Sequence, residues 1–331
     1  MTATNTTITL WDGRAVPRIG MGCWAIGGPF QMDGKQDGWG DVDDKQSLRA
    51  LALAFELGAR VFDTSDAYGT GHSEGVLGEA FGSSGDVVIA TKFGFTHDRA
   101  RRALTGTDVT PEYMEKAIVG SLQRLKRDRI DLYQIHVGDV PDAEADTLAE
   151  ALERRAEAGD IAAWGWSTDD AREVARMVHY PHFKAVQQHL NVFEDGPEML
   201  ALCEAKGLPS LNRSPLAMGF LTGKYTSGSQ LPADDVRAAG HSWVRDFRDG
   251  RPTPEALARL DAVRELLTTG GRTLAQGALG WILARSPQTV PIPGFKTEAQ
   301  VRDNLGTLEK GPLSAATMAE IDGLMRAREP A

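Results

Sequence analysis

Residues 61–69 read VFDTSDAYG, and this stretch organises the interpretation of the whole chain. Val61 and Phe62 are typical of a short buried strand, and the small polar residues after Asp63 are typical of a loop. Asp63 therefore lies at the carboxyl end of a strand, with Tyr68 a few residues into the loop. Taken alone, the stretch fits a helix-capping aspartate and a packing tyrosine equally well. Its meaning depends on what the remaining chain brings to the same place.

A strand-then-helix unit recurs along the chain. Short apolar runs bounded by turn residues predict strands, and a helical pattern follows each of them. Eight such units in 331 residues predict an α/β protein with a (β/α)8 TIM barrel. The predicted strands are residues 19–23, 61–63, 87–92, 130–136, 161–166, 185–189, 208–213 and 290–293. The predicted helices are residues 43–57, 73–81, 111–125, 142–158, 170–179, 196–205, 273–285 and 297–308.

Other segments are expected to decorate a single barrel domain that spans residues 1–331. Residues 6–16 predict an N-terminal β-hairpin that caps the bottom of the barrel. Two extra helices are expected, one within the long loop 214–268 and one at the C-terminal segment 314–328. The glycine-rich residues 27–40 predict a lid or pocket wall, and residues 97–108 predict another long loop.

Composition narrows the class of protein. The formal net charge is −10, from 36 basic and 46 acidic residues, which argues against a general nucleic-acid binder. No apolar run reaches the length of a membrane span, so no membrane association is expected. Two distant cysteines, Cys23 and Cys203, favour a reduced, cytoplasmic location. The oligomeric state stays open.

Four polar residues fall at the carboxyl ends of three consecutive predicted strands. Asp63 and Tyr68 follow the second strand, Lys92 ends the third and His136 ends the fourth. The functional groups of TIM barrels collect at this end. Singly, Lys92 could lie in solvent and His136 could be a core histidine, but chance does not readily place all four together.

The chemistry of this set suits proton transfer to an oxygen. A tyrosine hydroxyl has a pKa near ~10, and a neighbouring ammonium lowers it by favouring the phenolate. Asp63 would hold Lys92, and His136 would orient a substrate oxygen beside Tyr68.

A second interpretation is a metal-dependent barrel hydrolase or isomerase with Asp63 and His136 as ligands. It would need further ligands, for which only His189 and Asp66 are candidates, and we expect no metal site.

Six motifs together resemble the aldo-keto reductase family: FDTSDAYG, ATKFG, DLYQIH, GWST, NRSPLAMGFLTGKY and PIPGFKTEAQVRDN. They occur in this order between Ile19 and about Asn304. The resemblance implies reduction of a small-molecule aldehyde or ketone with NADPH, which becomes NADP+, and NADH as the less favoured cofactor. It assigns Asp63, Tyr68, Lys92 and His136 as the catalytic tetrad, with Tyr68 as general acid. The alternative within the family is a nicotinamide-binding regulatory or sensor subunit with little turnover.

The resemblance also implies the residues that bind the cofactor. Gly22, Cys23, Trp24 and Asp63 would surround the nicotinamide riboside, and Arg213 would stack on the ring where relatives have an aromatic residue. Ser167, Thr168 and Gln187 would contact the carboxamide, although Thr168 stands where asparagine is common and Gln188 fits equally by composition. Ser214, Leu216, Gly219 and Lys224 would bind the pyrophosphate. Gly294, Lys296, Thr297, Gln300 and Asn304 would lie at the adenosine, with Lys296 and Arg302 as candidates for a 2′-phosphate.

The expected substrate pocket is formed by aromatic residues and by the tetrad. Its predicted walls are Trp24, Phe30, Trp39, Tyr68, Phe93 and His136. Which carbonyl compound enters this pocket does not follow from the sequence, because specificity depends on the loops.

Overall fold

The computed structural model describes residues 5–326, and its centre is a sheet of eight parallel strands. Each strand pairs with its neighbours in the chain, so the strand order follows the sequence. The sheet closes between its ends, because Gly20 N donates to Pro291 O at 3.0 Å and Gly22 N donates to Pro293 O at 3.0 Å. The predicted (β/α)8 barrel is therefore confirmed. Its strands are β1 (Met21–Gly22), β2 (Val61–Asp63), β3 (Val88–Phe93), β4 (Leu132–Ile135), β5 (Trp164–Ser167), β6 (Phe183–His189), β7 (Ser210–Arg213) and β8 (Thr289–Pro291).

The strand β2 shows how the sequence pattern builds the barrel. Side chains alternate between the two faces of a strand. Val61 points into the barrel, where it packs with Val88 and Leu132, and Phe62 points outward into the layer of helices. Asp63 then ends the strand at the mouth. Burying each of these aliphatic or aromatic side chains stabilises the fold by about 1.5–3 kcal/mol.

The N-terminal hairpin is present as predicted and plugs the bottom of the barrel. Its strands are Thr7–Thr9 and Ala15–Pro17. Ile8, Leu10 and Val16 belong to the same apolar cluster as Val61 and the other inward-facing strand residues. The opposite end of the barrel, where β2 ends in Asp63, is left to form the mouth.

The helices begin and end close to the predicted bounds because their capping residues are local signals. Asp43 accepts a hydrogen bond from Lys45 N, and Thr110 accepts one from Tyr113 N. The predicted helix 297–308 is instead two helices that meet at Gly306. The helices are α1 (Asp44–Glu56), α2 (His72–Ala80), α3 (Pro111–Leu125), α4 (Asp142–Ala158), α5 (Ala171–Met177), α6 (Pro197–Lys206), α7 (Pro254–Leu267), α8 (Leu274–Arg285), α9 (Glu298–Leu305), α10 (Thr307–Lys310) and α11 (Ala315–Arg326).

The two expected extra helices are α7 and α11, which pack against each other and against α8. Residues 327–328 of the predicted C-terminal helix lie outside the described residues. So do the outermost parts of the predicted domain 1–331, whose treatment as one domain stays a prediction. Both cysteines are free and buried. Among residues 5–326, no helix is long and apolar enough to cross a membrane.

Two segments that the sequence predicts as long loops contain strands over the mouth. Residues 27–40, called the lid below, hold the short hairpin Gln31–Met32 and Lys35–Gln36. A second hairpin, Phe95–Asp98 and Ala103–Thr107, joins it in a four-stranded sheet. The excursion after β7 also meets the lid, since Val236 N donates to Gly38 O at 3.0 Å. The mouth is thus walled by three chain segments distant in sequence.

Candidate active site

The structure brings together the side chains of Asp63, Tyr68 and Lys92 at the end of the barrel. Lys92 Nζ donates to Asp63 Oδ1 at 2.7 Å, to Tyr68 Oη at 3.1 Å and to the carbonyl oxygen of Thr64 at 2.8 Å. Lys92 is fully buried and Asp63 is 2% exposed. An ammonium has three donors, and each is used here, so its direction towards the tyrosine oxygen is fixed.

Two amides complete the surroundings of Asp63. Gln187 Nε2 donates to Asp63 Oδ2 at 2.7 Å, and Gln134 Nε2 donates to the same oxygen at 3.3 Å. The carboxylate is thus shared between one cation and two amides. Sequence reasoning missed Gln134, although it stands two residues before His136 and therefore shares its face of the strand.

The electrostatics of Tyr68 differ from the sequence-based expectation. Enclosure by protein raises the pKa of Tyr68 above its ordinary value, and the charge of Lys92 offsets only part of this rise. For Lys92, burial pulls the pKa down, but the pull of Asp63 and Tyr68 is greater and the net shift is upward. At neutral pH the site therefore holds a neutral tyrosine beside a charged lysine. The hydroxyl carries a proton to give, and the lysine stabilises the phenolate that remains.

His136 lies edge-on to Tyr68, with ring centroids 5.8 Å apart. Its Nδ1 is 3.0 Å from Ser65 Oγ. Desolvation, followed by the charges of Lys92 and Arg213, lowers the pKa of His136 well below its ordinary value. The imidazole is neutral at pH 7 and can offer a hydrogen bond without competing with Tyr68 as proton donor.

A cavity of about 790 Å³ opens over these side chains. This volume is within the range of cofactor and ligand pockets, roughly 300–1,000 Å³. Most of the predicted cofactor residues line it, as do five of the predicted substrate walls. They are Gly22, Cys23, Trp24, Asp63, Ser167, Gln187, Arg213, Ser214, Leu216, Gly219, Lys224, Gly294, Lys296, Gln300 and Asn304, together with Phe30, Trp39, Tyr68 and His136.

Apart from the fully buried Lys92 and the 2′-phosphate candidate Arg302, three predicted site residues do not line this cavity. Phe93 is fully buried and stacks on Tyr133 at 4.7 Å between the barrel and its helices, so its assignment to the pocket wall is wrong. Lys92 points inward, and the next residue of a strand must point outward.

The two predicted threonines form hydrogen bonds elsewhere. The hydroxyl of Thr168 donates to Gly138 O at 3.1 Å, and the hydroxyl of Thr297 caps α9. Each of these two groups has a structural partner instead.

Arg213 is held in the cavity wall by its neighbours. Its Nη1 donates to His189 Nδ1 at 3.1 Å, and its Nη2 donates to Asp169 Oδ2. Sequence reasoning missed Asp169, which follows β5.

The proposed alternative of a metal site through Asp63 and His136 loses support, because both Asp63 oxygens already accept hydrogen bonds. Within residues 5–326, no three His, Cys, Asp or Glu side chains cluster as metal ligands.

The segment after β7 has the backbone shape of an anion site. Ser214, Ala217 and Met218 have φ values of +52°, +45° and +52°, and Gly219 has φ +85°. Successive residues that include left-handed conformations turn backbone N–H groups towards a common concavity that suits phosphate. Lys224 lines the cavity near this segment. These residues fit the pyrophosphate of a dinucleotide.

The start of α9 offers less to an anion than the sequence predicts. Gln300 Oε1 accepts hydrogen bonds from Lys296 N at 2.7 Å and from Thr297 N at 3.1 Å, which occupies two amides of the helix start. Lys296 Nζ donates to Trp39 O at 2.6 Å and to Asp41 O at 3.2 Å, which ties it to the lid. Arg302 does not line the cavity. Lysine flexibility leaves Lys296 able to turn towards a phosphate.

The fold and site together define a class: a barrel with a buried Tyr–Lys–Asp cluster beside a cavity of about 790 Å³. A sequence model of the Aldo/keto reductase family matches residues 18–326, and the chain belongs to this family. The predicted family and the predicted class of NAD(P)H-dependent oxidoreductase acting on carbonyl groups are confirmed.

Individual relatives agree with this assignment. An aldo-keto reductase of Schizosaccharomyces pombe, named with NADP(+), is 30% identical over 92% of this chain and 87% of its own length. The chloroplastic pyridoxal reductase of Arabidopsis thaliana is 31% identical over 89% of this chain and 79% of its own length. The structure of a glycerol dehydrogenase from Gluconobacter oxydans is similar with a TM-score of 0.82 at 25% identity, covering 100% of this chain and 98% of that one.

Proposed function

We propose that this protein reduces an aldehyde or ketone to an alcohol with NADPH, and that Tyr68 is the general acid. The observation that carries the proposal is the contact of Lys92 Nζ with both Asp63 Oδ1 and Tyr68 Oη, at 2.7 and 3.1 Å. This contact fixes a tyrosine hydroxyl beside a permanent positive charge, at the place where the cavity meets the barrel end.

The chain's own residues supply position and the proton. Bound NADPH supplies the hydride to the carbonyl carbon. As negative charge develops on the carbonyl oxygen, Tyr68 Oη gives its proton to that oxygen, and Lys92 stabilises the resulting phenolate. Neutral His136 donates a hydrogen bond to the same oxygen and holds it near the tyrosine. General acid catalysis of this kind contributes roughly 10²–10⁴-fold to the rate.

NADPH is favoured over NADH on two grounds. A solved aldo/keto reductase from Klebsiella pneumoniae, 25% identical with a TM-score of 0.71 over 97% of this chain and 95% of that one, is in complex with NADP and acetate. Lys296 lies in the cavity beside the start of α9, where a 2′-phosphate would be placed. Against this, an Escherichia coli relative 28% identical over 88% of this chain is an NADH-specific methylglyoxal reductase. The ratio of the kcat/KM values for the two cofactors measures this preference.

The test is a panel of aldehydes and ketones assayed with NADPH and with NADH. We expect oxidation of NADPH by at least one aldehyde, and a higher kcat/KM with NADPH than with NADH. If stopped-flow mixing of the NADPH-bound protein with reactive aldehydes shows no oxidation of the cofactor, the protein is a cofactor-binding sensor and the enzymatic proposal fails. The relatives act, by their names, on pyridoxal, methylglyoxal and glycerol, so the panel should include aromatic, dicarbonyl and hydroxylated compounds.

A further inference from the structure

The lid carries a buried carboxylate that lines the cavity without a hydrogen-bond donor. Asp37 is 7% exposed, and its Oδ1 accepts no hydrogen bond from any residue in the described part of the chain. His241 Nε2 lies 3.5 Å from this oxygen, but Nε2 is 2.8 Å from the carbonyl oxygen of Gln36 and must direct its proton there. Burying a hydrogen-bond acceptor without a donor lowers the stability of a protein by about 1–3 kcal/mol, and the loss is larger for a charged group. Such a group is expected to have a partner that is not part of the chain.

Among residues 5–326, no lysine or arginine forms an ion pair with Asp37, whose contact of this kind is with His241 at 3.5 Å. Burial and the neighbouring charge of Asp33 raise the pKa of Asp37 to about 7, and neither cause is a cation. This differs from Asp63, whose carboxylate is paired with Lys92. Above neutral pH the lid therefore presents an unpaired negative charge to the cavity.

Aromatic rings line the same cavity as this carboxylate, and His241, 3.5 Å from Asp37, stacks on one of them, Trp243, at 5.1 Å between ring centroids. Trp24 is 5.3 Å from Trp39, 6.0 Å from Trp243 and 5.9 Å from Tyr68 between ring centroids, and all four rings line the cavity. We call Trp24, Trp39 and Trp243 the tryptophan cluster. Trp243 is 41% exposed, so one edge of the cluster faces solvent.

The faces of tryptophan rings attract cations, and this cluster already shows that property. Arg237 Cζ lies 4.6 Å from the centroid of Trp39. A ring face beside a carboxylate is the combination that recognises organic ammonium groups. A neutral ligand would at most donate a hydrogen bond to Asp37 and leave its charge uncompensated, and an anionic ligand would be repelled. A cation would satisfy the carboxylate and the rings at once.

We propose that the substrate is a carbonyl compound that carries a positive charge, with its ammonium group between Asp37 and the tryptophan cluster and its carbonyl group at Tyr68. The contact of Trp24 with Tyr68 joins the two halves of this site. The inference rests on the proposed function, because it names the class of substrate that the same cavity reduces.

The experiment compares two aldehydes of the same shape and different charge. Para-(dimethylaminomethyl)benzaldehyde carries a protonated tertiary amine, and para-isobutylbenzaldehyde is its neutral isostere. Both are assayed with NADPH at about pH 8, where Asp37 with a pKa of about 7 is ionised. We expect the wild-type protein to prefer the cationic aldehyde in kcat/KM by on the order of tenfold, the effect of about 1.4 kcal/mol.

Matched variants locate the source of the preference. Asp37→Asn keeps the shape and removes the charge, so its ratio for the two aldehydes should fall to about one, with the neutral aldehyde little affected. Asp33→Asn removes the same charge from the exposed turn of the same lid. Because the charge of Asp33 raises the pKa of Asp37, this variant keeps Asp37 ionised at pH 8 and should retain the preference. Thermal unfolding and NADPH binding of each variant verify that it is folded.

Each remaining outcome decides the question. Equal kcat/KM values for the two aldehydes in the wild-type protein, or a preference for the neutral one, would overturn the inference and leave the proposed function intact. A preference that persists in folded Asp37→Asn would also overturn it. Failure to reduce either aldehyde, or any in the wider panel, would instead count against the proposed function itself.

Discussion

The base of the mouth and the predicted adenosine end of the cavity, around Lys296 and Gln300, are built on different principles. At the base, Asp63, Lys92 and Tyr68 form a buried set in which every donor of the lysine is used. Each contact joins β3 either to β2 or to the loop that follows β2. At the predicted adenosine end, Lys296 Nζ donates to the carbonyl oxygens of Trp39 in the lid and of Asp41 just after it, and Gln300 accepts from two amides at the start of α9. In the first region the side chains satisfy one another. In the second, the amides and the ammonium group that would bind a phosphate form hydrogen bonds within the protein instead.

This difference indicates where rigidity matters for function. Proton transfer depends on the position of one hydroxyl to within a fraction of an ångström, so the base is fixed by strands. Cofactor entry and release require contacts that can be exchanged, so the adenosine end relies on a flexible lysine and a lid. Changes at the base should act on the chemical step, and changes at the adenosine end should act on binding.

The largest expected effect is that of Tyr68→Phe. Removing the hydroxyl deletes the proton donor but keeps the ring that packs on Trp24, so kcat for carbonyl reduction should fall by roughly 10²–10⁴-fold. The Kd for NADPH, measured by quenching of protein fluorescence, should change little. Turnover within threefold of the wild type would show that another group donates the proton.

Lys92→Met tests the base through its charge and should lower kcat by on the order of 10²-fold. The positive charge of Lys92 lowers the pKa of Tyr68, so its loss raises that pKa further. Reduction needs the protonated tyrosine and is lost as pH rises through its pKa. The alkaline fall of kcat/KM should therefore move to higher pH, and an unchanged profile in a folded variant would argue against this role of Lys92.

Lys296→Met sharpens the contrast by acting on binding alone. The Kd for NADPH should rise about tenfold, the loss of one charged contact to phosphate, while the Kd for NADH and the single-turnover rate at saturating cofactor stay near wild type. Lys116→Met, on the exposed face of α3, is the control for the change in net charge. Equal weakening of both cofactors would place Lys296 away from the 2′-phosphate.

Phe93→Leu should have the smallest effect on activity, because the Phe93 side chain points away from the cavity, next to Lys92 in the same strand. Phe93 packs on Tyr133 outside the barrel, so the variant should lose about 1–1.5 kcal/mol of stability with KM values unchanged. Phe30→Leu, in the cavity wall, is the matched comparison and should change KM for aromatic aldehydes. A change in substrate KM for Phe93→Leu would reopen its assignment to the pocket.

The sequence contained most of what fixes the base of the mouth. The predicted bounds 61–63 of the second strand are those of β2, because two apolar residues and a following turn are local signals. The same alternation that turns Lys92 inward turns Phe93 outward, so its misassignment was avoidable. The same alternation predicts that Gln134, two residues before His136, also points into the barrel.

The lid could not be predicted in the same way. Asp37 contacts His241, about 200 residues further along the chain, in an excursion with no periodic pattern. The sign of the Tyr68 pKa shift was equally hidden, because enclosure by protein outweighs the charge of Lys92, and enclosure depends on the assembled mouth. Local sequence patterns predict where strands end. The burial of groups in a pocket depends on segments that are distant in sequence, so such patterns do not predict it.

The central claim is that the proton added to the carbonyl oxygen comes from Tyr68. Its most direct test is the pH dependence of NADPH oxidation in a single turnover, in wild-type and Tyr68→Phe proteins saturated with cofactor. Because the pKa of Tyr68 lies above its ordinary value, the wild-type rate should be constant through neutral pH and fall only at alkaline pH, as Tyr68 ionises. Tyr68→Phe should be slow and lack this fall. A Tyr68→Phe protein with the wild-type rate and the same alkaline fall would contradict the account.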